Sequence, residues 1–188
     1  MQPANMKFLA KGHRSIVYTA KYKSKIVAVK TRRDDIDVSN HLLNEAKILR
    51  IINKHKIGPK IYYGNKDMIV MEYINGMDII SWLEKNKRNK RRVKKIVNEM
   101  LRQCRILDRL GIEKQEMHKP VKHIIIGRRL VMIDFERSRI KNNPGNVTQL
   151  CQFLYRLKLM KRNIRLLREY KKNQNDENFS ALKRLLIY

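Results

Sequence analysis

A chain of 188 residues, 43% of them apolar, can bury one substantial core or two small lobes that share a cleft. It has no apolar run of roughly 18 residues, and its amino terminus lacks an apolar segment with a small-residue cleavage site, so neither a membrane span nor a secretory signal is supported and a cytoplasmic protein is expected. Forty-four basic against 17 acidic residues give a net charge of +27, which favours polyanionic partners such as nucleic acid, an acidic protein surface or nucleotide phosphates without choosing among them.

In chain order the first informative stretch is Leu9 to Tyr18, Leu-Ala-Lys-Gly-His-Arg-Ser-Ile-Val-Tyr, whose glycine and small residues suit a turn passing close to another group. Tyr18–Tyr22 and Ile26–Lys30 predict a hairpin around Lys23-Ser24-Lys25, with Lys30 closing an otherwise apolar strand. From Asn40 to Asn53, Leu42, Ala46, Leu49 and Ile52 recur at helical spacing, and Ser39 or Asn40 can cap the start. A step of 100° per residue puts Glu45 inside the buried arc of that helix. A buried carboxylate needs a cation, and Lys30 is the expected partner. Lys60–Tyr63 and Met68–Tyr73 read as a second strand pair, and Ile74-Asn75-Gly76 ends the strand-rich part.

Beyond Gly76 helices dominate. The basic run Lys85 to Lys95 is expected as a solvated loop and helix start, and it is the candidate contact for RNA or a ribonucleoprotein. Val93, Val97, Met100, Cys104 and Leu107 mark one face of a long helix ending at Leu110-Gly111. A polar stretch, Glu113 to His123, follows. Then Ile124-Ile125-Ile126, Gly127-Arg128-Arg129 and Leu130 to Ile133 predict a short hairpin that delivers Asp134, within Leu-Val-Met-Ile-Asp-Phe-Glu. Val147, Leu150, Cys151, Leu154 and Leu157 form a helical stripe that Met160, Ile164 and Leu167 prolong, and Phe179, Leu182 and Leu186 form a last short one. Cys104 and Cys151 both fall on apolar helix faces, which predicts buried free thiols and argues against a disulfide or zinc framework.

A glycine-bearing hairpin, an apolar strand ending in Lys, a helix with an inward Glu, a strand-to-helix boundary, a polar loop and an apolar strand ending in Asp-Phe resemble the protein kinase fold in their order. Leu9 to Tyr18 is similar to the glycine-rich loop, with Ala10 and Ser15 where two of its three glycines usually occur. Val27-Ala28-Val29-Lys30 is close to the family's Val-Ala-Ile-Lys, Met71-Glu72-Tyr73-Ile74 resembles the gatekeeper and hinge, and Ile133-Asp134-Phe135-Glu136 resembles the Asp-Phe-Gly segment with its glycine replaced. The resemblance implies a single protein kinase-like domain over residues 1–188, of α+β class, with a small antiparallel β N-lobe holding one helix (about 1–74) and a reduced, mainly helical C-lobe (about 75–188).

It implies chemistry as well. Phosphoryl transfer from ATP asks the protein to hold the triphosphate, neutralise its charge and align the acceptor. The resemblance assigns Lys30 to the α- and β-phosphates, Glu45 to fixing its ammonium, and Asp134 to Mg²⁺. Leu9, Gly12, Val17, Ala28, Met71, Glu72 and Ile74 would surround the nucleotide, with the backbone of Glu72 and Ile74 at the adenine edge. In the catalytic loop Glu116 occupies the place of the usual Asp base, no Asn matches the second metal ligand, and His123 falls in that place with two extra residues in the loop. About a dozen residues separate Phe135 from the helix near Val147, too few for a long activation segment. In this the chain resembles compact, atypical archaeal and prokaryotic serine/threonine kinases near the RIO type, acting with ATP and Mg²⁺ on an unknown protein substrate. The expected alternative is a nucleotide-binding module that grips RNA or a ribonucleoprotein through its basic surface. A small-molecule phosphotransferase fits less well, because little chain follows Glu136 to build an acceptor pocket.

Overall fold

The computed structural model describes residues 3–33, 35 and 40–187. The chain divides into two compact units, Met1–Gly76 with Gly127–Ser138, and Met77–Ile126 with Arg139–Tyr188.

The first unit opens with β1 (Ala4–Lys11), β2 (Ser15–Tyr22) and β3 (Lys25–Arg32), followed by α1 (His41–Asn53), β4 (Ile61–Gly64) and β5 (Met68–Glu72). The five strands form an antiparallel sheet in the order β1-β2-β3-β5-β4. The β2–β3 hairpin turns on Lys23 and Ser24 alone, both with positive φ, and Lys25 is already paired with Tyr22. β3 also runs further than its apolar residues suggest. Thr31 and Arg32 pair with Ile16 and Ser15, so Lys30 lies inside the strand and not at its end.

Cross-strand register sorts the side chains by face, since opposed residues and residues two apart share a face. Lys30 is opposite Val17 and Ile69, and Ala28 is opposite Met71, so these five residues share one face. Val27, Val29, Ala20 and Val70 lie on the other, where Tyr18, Tyr22, Tyr62 and Met68 pack against them as a hydrophobic cluster. α1 buries Leu42, Ala46, Leu49 and Ile52 as its periodicity predicts, and Glu45 lies among them, 1% exposed. Asn40 precedes the helix in the left-handed region and makes no side-chain cap bond; Ser39 lies outside the described residues.

The second unit begins with β6 (Met77–Asp78), α2 (Ile79–Asn86), α3 (Lys90–Arg109) and β7 (Ile112–Glu113). α2 is an element that the sequence reading lacks. Asp78 caps it by accepting from the backbone N–H groups of Ile80 and Ser81, and Ile79 and Trp82 are buried. The basic run spans the end of α2 and the start of α3, exposed except at Asn86 and Val93. A single 3-10 turn (Val121–His123) leads to β8 (Ile124–Ile126), which pairs antiparallel with β6.

The chain then returns to the first unit with β9 (Leu130–Met132), and re-enters the second with β10 (Arg139–Ile140), paired antiparallel with β7. α4 (Asn146–Arg156), α5 (Ile164–Lys172) and α6 (Asp176–Lys183) complete it. α4 stops before Met160, whose stripe predicts a continuation. Lys158 adopts φ 56°, the left-handed turn that closes helices, and Met160 instead bridges to Leu186. α3 packs on α4, burying Met100, Leu101, Cys104 and Leu107 with Val147, Leu150, Cys151 and Leu154. Both cysteines are free and buried, as their positions on apolar faces predict, and burial pushes the Cys151 thiol up to about 12. No helix among the described residues is long and apolar enough to cross a membrane.

Candidate active site

In the first unit the site is built around the Lys30 ammonium. Its Nζ donates to Glu45 Oε2 at 2.7 Å and to Asp134 Oδ1 at 3.2 Å, and lies 3.1 Å from Glu136 Oε2. β3 supplies the cation from the middle of the sheet, α1 supplies Glu45 from its buried face, and the segment after β9 supplies the two other carboxylates. Burial alone would pull the lysine pKa down. Glu45, Asp134 and Glu136 outweigh that and hold it above the ordinary lysine value, so the ammonium stays charged.

Glu45 uses its second oxygen as well, accepting from the Phe135 backbone N–H at 2.9 Å. Asn44, one residue earlier on α1, donates to the carbonyls of Glu136 and Ser138 at 3.1 and 3.0 Å. One helix therefore fixes both the lysine and the backbone after β9. Phe135 is fully buried; a Cβ on Gly58 would meet Phe135 together with Leu49 and Ile52 of α1. Asp134 sits at φ 62° with its side chain 40% exposed, whereas the Glu136 side chain is 10% exposed. Left-handed backbone at a non-glycine residue costs free energy and is held here by the Lys30 bond to the Asp134 carboxylate and the Phe135 N–H bond to Glu45.

The turn between β1 and β2 closes through the Gly12 N–H to Ser15 O at 2.8 Å, and Arg33 Nη1 donates to the carbonyls of Gly12 and His13. Ser15 is buried and hydrogen-bonded to His41 Nε2 at 3.1 Å and to Glu136 Oε2 at 3.4 Å. Of the expected nucleotide contacts, Val17, Ala28 and Met71 share the Lys30 face. Leu9 is the extra residue where the β1–β2 register shifts between Phe8 and Ala10. Glu72 closes β5 with its carboxylate on Arg129 Nη2 at 2.5 Å and on the Lys60 N–H at 3.1 Å; Ile74 follows two residues later.

The polar loop of the second unit has its own construction. Gln115 and Glu116 are consecutive left-handed residues, φ 62° and 55°. Two such residues need support, and α4 provides it from both sides: the Lys114 N–H donates to Asn146 Oδ1 at 2.8 Å and the Met117 N–H to Gln149 Oε1 at 3.0 Å. Asn146, fully buried, also donates to the Ile112 carbonyl at 2.7 Å and to Asp108 Oδ1 at 2.8 Å. His123 Nε2 meets Glu116 Oε2 at 3.0 Å, so the two residues singled out in this loop are partners.

Hard carboxylate oxygens suit Mg²⁺, and Glu45, Asp134 and Glu136 bring theirs within 4.8 Å of one another. His123 is not in that group. Sequence reasoning misses several contributors. Asn44, Asn146 and Gln149 are ordinary polar residues on amphipathic helices and carry no local signal. Glu136 does carry one, a charge at the end of an apolar strand, but its contact with Lys30 depends on the 105 intervening residues being folded.

The order of elements and the side chains they bring together agree with comparison to known proteins. An uncharacterized protein of Methanocaldococcus jannaschii is 31% identical to this chain over 85 residues, covering 45% of this chain and 72% of that protein. The family model described as protein tyrosine and serine/threonine kinase matches residues 4–131, more than half of the chain. With the antiparallel sheet, the Lys30–Glu45 pair and the helical part all in place, the chain belongs to the protein tyrosine and serine/threonine kinase family.

Proposed function

We propose that this protein is an ATP- and Mg²⁺-dependent serine/threonine protein kinase of the compact, atypical RIO-like type, with residues 1–188 forming a single kinase domain. The observation that carries this reading is the Lys30 ammonium held by buried Glu45 at 2.7 Å with Asp134 at 3.2 Å. A lysine fixed in this way presents a permanent positive charge to phosphate oxygens at no cost in side-chain freedom at the moment of reaction. Asp134, the most exposed of the three carboxylates, is assigned to the divalent cation, with Glu136 beside it. When bound, that cation would neutralise phosphate charge.

Val17, Ala28 and Met71 would line the adenine ring on the Lys30 face, with Leu9 and Gly12 above the phosphates and the backbone of Glu72 and Ile74 at the base edge. Glu116 is assigned the role of general base, taking the proton of the acceptor hydroxyl at a carboxylate oxygen. The longer glutamate side chain is accommodated by the left-handed backbone at Gln115 and Glu116, and His123 orients the carboxylate. Purified protein with labelled ATP and Mg²⁺ should autophosphorylate on serine or threonine. Lys30→Ala and Asp134→Ala should abolish the signal, and Glu116→Gln should lower it by about 100-fold or more. Wild-type activity in the first two variants overturns the kinase reading; phosphotyrosine as the product overturns the serine/threonine assignment.

A further inference from the structure

Lys30 has more carboxylate around it than its place in a phosphate site requires. An ammonium has three N–H donors. Two of them go to Glu45 and Asp134 at 2.7 and 3.2 Å, Glu136 lies 3.1 Å away, and the three carboxylates leave the cluster two negative charges in excess.

The three carboxylates differ in exposure. Glu45 is held by Lys30 and by the Phe135 N–H. Glu136 is held at both ends: its carbonyl accepts from Asn44, and its Oε2 accepts from Ser15, whose hydroxyl in turn bonds His41. Asp134 is the most exposed of the three, its side chain 40% exposed. A phosphate oxygen that reaches Lys30 therefore meets the Glu136 charge beside it. In the resemblance to the Asp-Phe-Gly segment, Glu136 stands in the place of the glycine.

We propose that Glu136 is a specificity-determining residue that makes the nucleotide site accept a triphosphate only together with a divalent cation. A metal-free triphosphate, itself strongly anionic, would meet Lys30 already neutralised by Glu45 and Glu136, and would be repelled by Asp134. A chelated triphosphate would bring a cation whose charge offsets Asp134 and Glu136. The coupling thus comes from a fixed negative charge a few ångströms from the phosphate position. At an effective dielectric constant of about 20, removing such a charge changes affinity for an anion by about 10-fold or more.

This inference rests on the nucleotide-site reading above, and the experiment separates the two. Nucleotide affinity of the full chain is measured by calorimetry in Mg²⁺ and in EDTA, for wild type, Glu136→Gln and Glu136→Gly. Wild type should bind with Mg²⁺ and bind about 100-fold more weakly in EDTA. Both variants should gain about 10-fold or more for metal-free nucleotide, which lowers the ratio. Wild type failing to bind Mg-nucleotide overturns the nucleotide site itself, and this inference with it. Wild type binding equally with and without Mg²⁺ overturns the role of Glu136 alone, whatever the variants do. So does binding in which metal-free affinity is unchanged or lowered in whichever variant retains the wild-type thermal transition.

Discussion

Lys30 and Asp108 are both buried ionisable residues, and the chain tolerates them in different ways. Lys30 is compensated by charge. Asp108, on α3, is compensated by hydrogen bonds: Oδ1 accepts from Asn146 N and Nδ2 at 2.9 and 2.8 Å, and Oδ2 from Val147 N at 3.2 Å and Tyr170 Oη at 2.9 Å. It thereby satisfies the first N–H groups of α4 and ties α3 to α5. Burial pushes its carboxyl above the usual range, against the pull of these bonds. A raised carboxyl contributes most below its ordinary value of 3.8, and part of that contribution is lost as pH rises through the folded value. Asp108→Ala should destabilise the protein by about 3 kcal/mol or more, because several buried donors lose their acceptor at once. Urea denaturation at neutral pH checks this; a change below about 1 kcal/mol contradicts it. The residue was not legible as important, since its partners lie 38 and 62 positions away.

Elements were legible where periodicity was long and invisible where a break carried no special residue. α1 and α3 announce themselves by their apolar stripes. α2 spans only eight residues, and its apolar contribution rests on Ile79 and Trp82. α4 and α5 read as one stripe because the left-handed turn that separates them is made by Lys158, where glycine would have signalled a stop. The docking of α1 on β4 depends on an absent side chain: a Cβ on Gly64 would lie 2.7 Å from Ala46 Cβ. Ala46 adjoins Glu45, so Gly64→Ala should push α1 off the sheet and loosen the Lys30–Glu45 pair. A loss of about 1–3 kcal/mol in stability is expected, with weaker Mg-nucleotide binding. Denaturant midpoints and nucleotide titration read the two effects, and tight binding at wild-type strength would contradict the link between them.

On the scale of the whole molecule the dominant quantity is the net charge of +27. Self-repulsion on that scale opposes compactness, and salt relieves it within a Debye length of about 8–10 Å at physiological ionic strength. The melting temperature should therefore rise between about 0.05 and 0.5 M NaCl at neutral pH. A fall across that range would mean that attractive ion pairs outweigh the excess positive charge. The sequence by itself determined the α+β class, the order of the elements and the kinase resemblance, because alternating and helical periodicities are local and the motifs fall in order along the chain. It also pointed to Lys30 and Glu45, since an inward carboxylate on an apolar helix face demands a cation, and to Asp134 through the kinase resemblance. Only the tertiary structure decided that Glu136 is a third carboxylate on Lys30, that Asn44 and Glu45 together hold the backbone after β9, and that Asn146 and Gln149 support the left-handed turn before and at Glu116. Those contacts join residues far apart in sequence through polar side chains, which leave no periodic trace and acquire their partners only when the chain is folded.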